Sequence, residues 1–469
     1  MKNYNYAFLL SISLVAALGG LLFGYDWVVI GGAKPFYEVY FGITKSPALQ
    51  GWAMSSALVG CVGGAAVAGR LADSYGRKPL LIIAAILFSL CALGTGLVET
   101  FNGFIAWRII GGVGIGIAST ISPLYIAEIA PPKYRGLFVS INQLTVVLGI
   151  LGAQITNMLI TEEIPDGFTQ AQILASWNGQ TGWRWMFWAG LFPAVLFFVL
   201  MFLIPESPRY LAKKGKYDKA GAILTKIGGA EYTSAAISEI KETFEDETHS
   251  TSLKTLFDKR TLGILLIGIV LAAFQQWCGI NIIFNYAQEI FVSAGYGIND
   301  LFMNIVITGS INLVFTIVAM GTVDRLGRKK LMLLGSGGLA IIYAVMGYLY
   351  YTNVTGMPLM ILVLLAIAIY AMSLAPIVWV ILSEIFPNRI RGLAMSISTF
   401  ALWIASALLV QTFPFLNESL GTYGTFWIYG VICALGFLFV WAKLPETKNK
   451  SLEQIEEELL SGKNNTSKK

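Results

Sequence analysis

The sequence is poor in charged residues. Only 13% of its 469 residues are Asp, Glu, Lys or Arg, whereas a soluble domain carries about 25%. This deficit excludes a soluble enzyme. A disordered chain is excluded as well, because 56% of the residues are hydrophobic. The net charge of +5 is small for this length, and the bases are not gathered in one tail, so no nucleic-acid partner is predicted.

Histidine and cysteine are also scarce. The single histidine, His249, lies in a polar segment with no cysteine nearby, so no zinc site is predicted. All four cysteines lie in apolar segments, and we interpret them as packing residues rather than disulfide partners. No phosphate-binding loop occurs, and the glycine-rich run 335–340 has no strand before it, so no nucleotide or other cofactor is predicted. No nucleophile–base pair is visible, which argues against an enzyme.

Long apolar segments dominate what is present. A membrane-spanning helix needs about 20 apolar residues, and twelve segments reach this length. Strands of a membrane barrel would carry a polar residue at every second position, and these segments do not. We therefore predict an all-α membrane protein with twelve transmembrane helices at 7–31, 51–72, 79–98, 102–122, 138–160, 184–204, 262–292, 302–323, 331–351, 358–382, 393–414 and 424–443.

The distribution of lysine and arginine predicts how these helices are oriented. Nearly all of these residues lie in the termini and in the loops after the even-numbered segments, and Lys34 and Lys45 are the exceptions. Both termini are therefore predicted to be cytoplasmic, in a multi-pass protein of the cell membrane. The first segment is too long for a cleaved signal peptide and is expected to remain in the protein.

The chain repeats itself in two halves. The motif Asp73-Ser-Tyr-Gly-Arg-Lys78 follows the second segment, and Asp324-Arg-Leu-Gly-Arg-Lys329 follows the eighth. Likewise, Glu128-Ile-Ala-Pro131 follows the fourth segment and Glu384-Ile-Phe-Pro387 the tenth. The predicted domains are a six-helix bundle at 1–204, a cytoplasmic linker with short helices at 205–261, a second six-helix bundle at 262–443 and a cytoplasmic tail at 444–469.

These repeated motifs predict clusters of ion pairs at the cytoplasmic ends of the helices. Such clusters could hold helix ends together in one conformation and release them in another, since a few kcal/mol is enough to bias a two-state equilibrium. The alternative is that the bases only set the orientation, but orientation requires no acid. The predicted cytoplasmic gate comprises Asp73, Arg77, Glu128, Arg135, Glu206, Arg209, Asp324, Arg328, Glu384, Arg391 and Glu446.

The charged residues Asp26 and Arg108 lie inside predicted spans, where polar side chains are costly and often functional. Asp26 lies within the first span and Arg108 begins the fourth. A buried carboxylate tends to take up a proton, and a nearby arginine opposes this. An Asp26–Arg108 contact that forms and breaks would therefore couple transport to proton movement. The alternative is a static ion pair that ties two helices together.

Amide side chains form a second polar set within the spans. An amide both donates and accepts hydrogen bonds, which matches the hydroxyl groups of a neutral sugar. Gln275 and Asn281 are six residues apart, so both reach one ligand only if the helix bends or the binding face is wide, and Gly279 between them would permit a bend. For each amide taken alone, the alternative is a hydrogen bond between helices.

Over almost its whole length the chain resembles the sugar porter family of the major facilitator superfamily. The motifs that carry the resemblance are the two glycine–arginine–lysine loops, Pro205-Glu-Ser-Pro-Arg209, Gln275-Gln276 followed by Gly279-Ile-Asn281, and Pro445-Glu-Thr447. The resemblance implies two six-helix bundles around a central cavity. It also implies sugar contacts at Gln143, Gln275, Gln276, Asn281, Asn312 and Trp379, with aromatic neighbours at Phe23 and Trp403.

Three residues depart from the family pattern: Asn285 replaces a tyrosine, Ala375 a glycine and Leu402 an asparagine or glutamine. In the family, an acid at the position of Asp26 accompanies proton symport. The prediction is thus a proton-coupled importer of a pentose or hexose, such as xylose or glucose, that works by alternating access. Its partners would be the sugar, the proton and membrane lipid. The alternatives are an uncoupled uniporter of the same fold, a sugar sensor and a membrane enzyme.

Overall fold

The computed structural model describes residues 4–131, 134–165, 168–247, 259–386 and 391–448. These residues are mostly helical, and no strand occurs among them. They contain eleven helices that are long and apolar enough to cross a membrane. The last of these covers 51 residues and is interrupted at Gly421, so it holds the eleventh and twelfth predicted spans. The predicted all-α membrane fold is confirmed.

The chain divides into two compact units. The first comprises the described residues of 1–42, 56–163 and 167–250. The second helix of the chain begins outside this range and enters it at Ser56. The helices are α1 (Tyr6–Tyr40), α2 (Pro47–Tyr75), α3 (Arg77–Leu97), α4 (Phe101–Ile129), α5 (Arg135–Ile160), α6 (Gln170–Ala175), a π-helix (Asn178–Gly182), α7 (Trp183–Ala189), α8 (Leu191–Met201), α9 (Pro208–Lys213) and α10 (Tyr217–Glu247).

The second unit comprises the described residues of 43–55, 164–166 and 251–469. It includes the beginning of α2, where the Ser55 hydroxyl donates a hydrogen bond to Gln411 Oε1 over 2.7 Å. Its remaining helices are α11 (Lys259–Trp277), α12 (Ile280–Asn285), α13 (Ala287–Ser293), α14 (Ile298–Leu326), α15 (Arg328–Tyr351), α16 (Met357–Met372), α17 (Leu374–Ile385) and α18 (Arg391–Lys443).

Residues 205–247 of the central linker belong to the first unit. They form α9 and α10, and the backbone of α10 leaves the helical region at Gly229 (φ 77°, ψ −179°). Leu211, Ala212 and Ala220 are buried together between α9 and α10. Residues 248–258 of the linker and residues 449–469 of the tail lie outside the described part of the chain.

Helix α1 extends further than the apolar segment predicted. It ends at Tyr40, so Lys34 lies inside the helix rather than in an outer loop. The Lys34 side chain forms an ion pair with Glu38 over 2.9 Å, and only 3% and 7% of these two side chains are exposed. A prediction from mean hydropathy ends the span where such charges begin. The helix itself continues, because residues four apart lie on the same helix face and can form an ion pair.

Two spans of the second unit are broken in the middle. The seventh span stops at Trp277 and resumes at Ile280, and Gly279 between them has φ 85°. This left-handed conformation is disfavoured for residues with a side chain, and it produces the bend that the sequence predicted there. The tenth span is interrupted at Ser373 (φ −127°, ψ −86°), so Pro376 falls in the first turn of α17, where proline is tolerated.

Close approaches at glycine hold the first unit together, since helices in a membrane associate through tight packing rather than the hydrophobic effect. A Cβ atom on Gly112 of α4 would overlap the carbonyl oxygen of Ala57 on α2. A Cβ on Gly63, also on α2, would meet nothing within 4 Å.

The Gly112→Ala variant is therefore expected to destabilise the protein by about 1–3 kcal/mol, because the clash is with backbone that cannot turn aside. Gly63→Ala is the matched control, with an expected change within about 0.5 kcal/mol. Thermal unfolding of the two purified variants measures the difference. Equal unfolding temperatures would show that α2 and α4 do not pack as described.

Candidate functional site

Asp26 and Arg108, here called the coupling pair, contact each other inside the first unit. Arg108 Nη1 donates to Asp26 Oδ1 over 2.8 Å, and Nη2 donates to the backbone carbonyl of Asp26 over 3.2 Å. Only 1% of the arginine side chain and 13% of the aspartate side chain are exposed. The guanidinium also lies over the ring of Phe187 on α7, 5.6 Å from its centre. The two charges predicted to interact are therefore in direct contact.

The hydrogen bonding of this pair is incomplete. Among the described residues, Asp26 Oδ2 and Arg108 Nε have no hydrogen-bond partner, although both atoms are buried. A static arginine–carboxylate pair gains most from two parallel bonds, and here one oxygen receives no donor. Oδ2 of Asp26 is therefore the carboxylate oxygen that receives no hydrogen bond from the described residues.

A small cavity borders Asp26 within the first unit. Its volume of about 10 Å³ is near the minimum that holds one water molecule. Helices α1, α3 and α7 supply its walls, and Gly190 closes it at the end of α7. The lining residues are Leu22, Tyr25, Asp26, Val29, Phe88, Ala92, Phe187 and Gly190.

In the second unit the amides Gln275, Gln276, Asn281 and Asn285 form a continuous set, here called the amide chain. Asn281 Nδ2 donates to Gln276 Oε1 over 2.6 Å, and Gln276 Nε2 lies 3.5 Å from Gln275 Oε1. Asn285 Nδ2 donates to the carbonyl of Asn281 over 2.9 Å. All four residues are at least nine-tenths buried. The bend at Gly279 brings Gln276 and Asn281 into contact across the break in the helix.

The amide chain ends at the second helix break. Gln275 Nε2 donates to the carbonyls of Leu374 and Ala375, each over 3.1 Å. These carbonyls belong to the first residues of α17, directly after the interruption at Ser373. The amide chain thus connects two broken spans of the second unit.

The other predicted sugar contacts are distributed over both units. In the first, Phe23 packs against Trp27 in an edge-on contact at 5.8 Å, and Gln143 is half-buried on α5. In the second, Asn312 and Trp403 are buried at 6% and 3% exposure, whereas Trp379 is 38% exposed.

A cluster of ion pairs and hydrogen bonds, here called the first ion cluster, lies at the loop between α2 and α3 in the first unit. It comprises Arg77, Glu128, Glu206 and Ser207. Arg77 Nη2 lies 2.8 Å from Glu128 Oε1, with side-chain exposures of 7% and 5%. Ser207 donates its hydroxyl to the other oxygen of Glu128. Glu206 accepts from the backbone N–H of Arg77 over 3.0 Å. This first ion cluster therefore ties the loop to the ends of α4 and α8.

The partly buried position of Glu206 disfavours the ionised form of its carboxyl group. Burial raises the pKa of its carboxyl above the usual value, and hydrogen bonds from the backbone N–H groups of Ser207, Lys78 and Arg77 partly offset the rise. Two of the three donors, Arg77 and Lys78, directly follow the turn at Gly76 (φ 104°). Glu206 therefore holds the turn as an acceptor of backbone hydrogen bonds.

The second unit contains an equivalent cluster of Arg328, Glu384, Glu446 and Thr447. Arg328 Nη2 lies 3.0 Å from Glu384 Oε1, and the Thr447 hydroxyl donates to Glu384 Oε2 over 2.6 Å. Glu446 accepts from the backbone N–H of Arg328 over 2.9 Å. Each contact of this second ion cluster reproduces one in the first, so the sequence repeat is also a repeat of side-chain geometry.

Two further residues of the predicted gate, Asp73 and Arg135, make longer contacts than those of the ion clusters. Asp73 lies 3.5 Å from Arg77 and 3.3 Å from Lys213, and its side chain is 53% exposed. Arg135 donates to the carbonyl of Ala127 over 3.2 Å, and Arg209 is exposed at the start of α9. The side chains of Asp324 and Arg391 lie outside the part that the structure describes.

A family model described as "Sugar (and other) transporter" matches residues 12–459 of the chain. The arabinose-proton symporter of Bacillus subtilis is 40% identical to it, over 97% of this chain and 96% of that protein. The D-xylose-proton symporter of Escherichia coli K12 is 38% identical over the same shares. The glucose transport protein of a Synechocystis strain is 41% identical over 96% of this chain and 97% of its own length.

Solved structures of the E. coli xylose transporter XylE are similar over nearly the entire chain. Its partially occluded inward-open form gives a TM-score of 0.82 at 35% identity, covering 94% of this chain and all of that one. The complex of this proton:xylose symporter with 6-bromo-6-deoxy-D-glucose gives a TM-score of 0.80 at 37% identity. This comparison covers 96% of this chain and 99% of that one.

Proposed function

This chain belongs to the sugar transporter family, and on that premise we propose that it imports a monosaccharide together with a proton. It is a multi-pass membrane transporter with the major facilitator fold. The proposed cargo is a pentose or hexose such as xylose or glucose, because relatives at 38–40% identity are named for proton symport of xylose and arabinose. The distribution of Lys and Arg supports placing both termini in the cytoplasm.

The observation that carries the coupling is the incomplete hydrogen bonding of Asp26. Its Oδ1 is bound by Arg108, whereas its Oδ2 has no partner among the described residues. In the proposed cycle Oδ2 takes a proton on the outside, which weakens the attraction to Arg108. On the inside the carboxyl group releases this proton, and Arg108 again contacts the ionised carboxylate.

Sugar binding is assigned to the amide chain, with Gln143, Asn312 and Trp379 as further contacts and Phe23 and Trp403 as aromatic neighbours. Amides offer a hydroxyl group both a donor and an acceptor. Because the amide chain lies across the two helix breaks, sugar binding at these amides would move both spans and favour the change from the outward-facing to the inward-facing state.

One proton gives the transporter enough energy to accumulate sugar. Its movement across 100 mV releases about 2.3 kcal/mol, so a potential of about 150 mV supplies about 3.5 kcal/mol. That free energy corresponds to roughly 300-fold accumulation of the sugar. An uncoupled uniporter, the alternative, would reach no more than equal concentrations.

Uptake of labelled pentoses and hexoses in cells lacking other sugar transporters tests the proposal. Accumulation above the external concentration is expected for one of these sugars, and a protonophore should abolish it. Uptake that stops at equal concentrations and ignores the protonophore would favour the uniporter.

The ion clusters are proposed to act as a cytoplasmic gate, and Arg77→Ala tests the first of them. It leaves Glu128, 5% exposed, as an unpaired buried charge, so a loss of about 3–5 kcal/mol is expected in the state that forms the pair. Arg328→Ala should cost less, because Arg328 and Glu384 are 13% and 20% exposed. Thermal unfolding and uptake measure both effects.

The double variant Arg77→Ala/Glu128→Gln is the control for this gate. It removes the unpaired charge, so it should recover part of the stability that Arg77→Ala loses. A double variant as unstable as Arg77→Ala would show that the arginine acts through its packing and not through the ion pair.

A further inference from the structure

Two small polar residues of α3 lie beside the coupling pair. The sulfur of Cys91 is 4.0 Å from Asp26 Oδ1 and 3.7 Å from the hydroxyl oxygen of Thr95. Both residues are fully enclosed, at 1% and 0% exposure. The apolar segment around Cys91 predicts a packing residue, and nothing in the local sequence indicates that it meets the first span.

The position of the Cys91 sulfur is fixed from the opposite side by α4. A Cβ atom on Gly111 would overlap this sulfur, so the thiol occupies the space that a side chain would take. The same imagined Cβ would lie 3.8 Å from Asp26 Oδ2. The thiol is therefore held between the carboxylate and the backbone of α4.

A thiol can serve both protonation states of its neighbour. It is a weak donor and a weak acceptor, so it donates to Oδ1 while Asp26 is ionised. Once Asp26 is protonated, the S–H turns to the Thr95 hydroxyl, which lies within reach. Neither state leaves the thiol without a partner, and the hydrogen bond to Oδ1 is stronger in the ionised state because a charged acceptor strengthens it.

Three ionisable groups besides Cys91 lie near Asp26 in the described part of the chain. Arg108 faces it from α4, Cys61 lies within electrostatic range from α2, and Tyr25 is its neighbour in α1. The cavity beside Asp26 is lined by Phe187 of α7 and by Gly190, which directly follows that helix. Arg108 is the cation that the described residues place against the carboxylate, so the loss of even a weak donor should be measurable.

We propose that Cys91 is a positioning residue for proton coupling, whose S–H group favours the ionised form of Asp26 and so helps to set the pH at which the proton is released. This inference rests on the proposed coupling role of Asp26. It adds a contribution from α3 to a site formed by α1 and α4.

The test is the pH profile of proton-driven sugar uptake in Cys91→Ala and Cys91→Ser. In the alanine variant Asp26 holds its proton more tightly, so the alkaline half-point of uptake should move up by about 0.5 pH unit. Serine keeps a donor and should stay within about 0.2 unit of the unmodified protein. The matched control is Cys433→Ala, a buried cysteine of the second unit that should leave the half-point unchanged.

A Cys91→Ala variant that lowers maximal uptake at an unmoved half-point would overturn the inference, since a packing defect has that effect. An equal shift in Cys433→Ala would overturn it as well. If the unmodified protein itself shows no protonophore-sensitive accumulation, the proposed function fails instead, and the two failures are thereby distinguished.

Discussion

Asp26→Asn is expected to abolish sugar accumulation while leaving sugar exchange intact. Asparagine keeps the size of the side chain and can accept the hydrogen bond that Arg108 donates to Oδ1, but it binds no proton at physiological pH. Accumulation should therefore fall from as much as roughly 300-fold to equal concentrations. Counterflow, the exchange of labelled for unlabelled sugar, needs no net proton movement and should continue.

Both activities can be measured on one preparation of proteoliposomes, with an imposed proton gradient for accumulation and preloaded sugar for counterflow. Asp218→Asn is the matched control, because it makes the same change at an acid in the first turn of α10, outside the spans. If the Asp26→Asn variant still accumulates sugar, the role of Asp26 in coupling is wrong. Loss of both accumulation and counterflow would instead indicate a structural ion pair.

Gln276→Ala is expected to have the largest effect on sugar affinity. Gln276 is the centre of the amide chain: it accepts from Asn281 over 2.6 Å and lies 3.5 Å from Gln275. Under the proposed function, its loss removes a contact to the sugar and frees two further amides to change their orientation. A lost hydrogen bond at a buried site costs about 1–3 kcal/mol, so the dissociation constant should rise roughly 5- to 150-fold.

Equilibrium binding of the transported sugar to purified protein measures this change. Asn304→Ala is the control, since Asn304 is also a buried amide of the second unit, at 9% exposure, but belongs to neither the amide chain nor the predicted sugar contacts. An unchanged dissociation constant in Gln276→Ala, with the protein still folded, would remove the amide chain from the sugar site.

Much of the architecture follows from local sequence. Apolar segments of sufficient length predict the spans, and the repeated acid and base motifs predict which residues share a helix end. The distances bear this out: Arg77 and Glu128 are 2.8 Å apart, and their equivalents Arg328 and Glu384 are 3.0 Å apart. The bend at Gly279 was also predictable, because two amides on opposite sides of a glycine share one partner only if the helix turns there.

Other features depend on contacts between distant segments. The sequence predicts an outer loop at Lys34, because charged residues lower the mean hydropathy and so end the predicted span. In the structure Lys34 is buried beside Glu38 within α1. Cys91 and Asp26 are 65 positions apart, and their contact depends on how α3 packs on α1. Asn285 differs in this respect, because its amide donates to the backbone carbonyl of Asn281 only four residues earlier and joins the amide chain through this local contact.

The most direct measurement follows protons when sugar is added to a weakly buffered suspension of proteoliposomes that carry no pH gradient or membrane potential. If Asp26 is protonated and deprotonated in each cycle, protons should enter with the sugar in a ratio near one to one, and the external medium should become more alkaline. Asp26→Asn should abolish this alkalinisation. Sugar entry without proton movement would mean that position 26 keeps its charge throughout transport, and the coupling mechanism would be wrong.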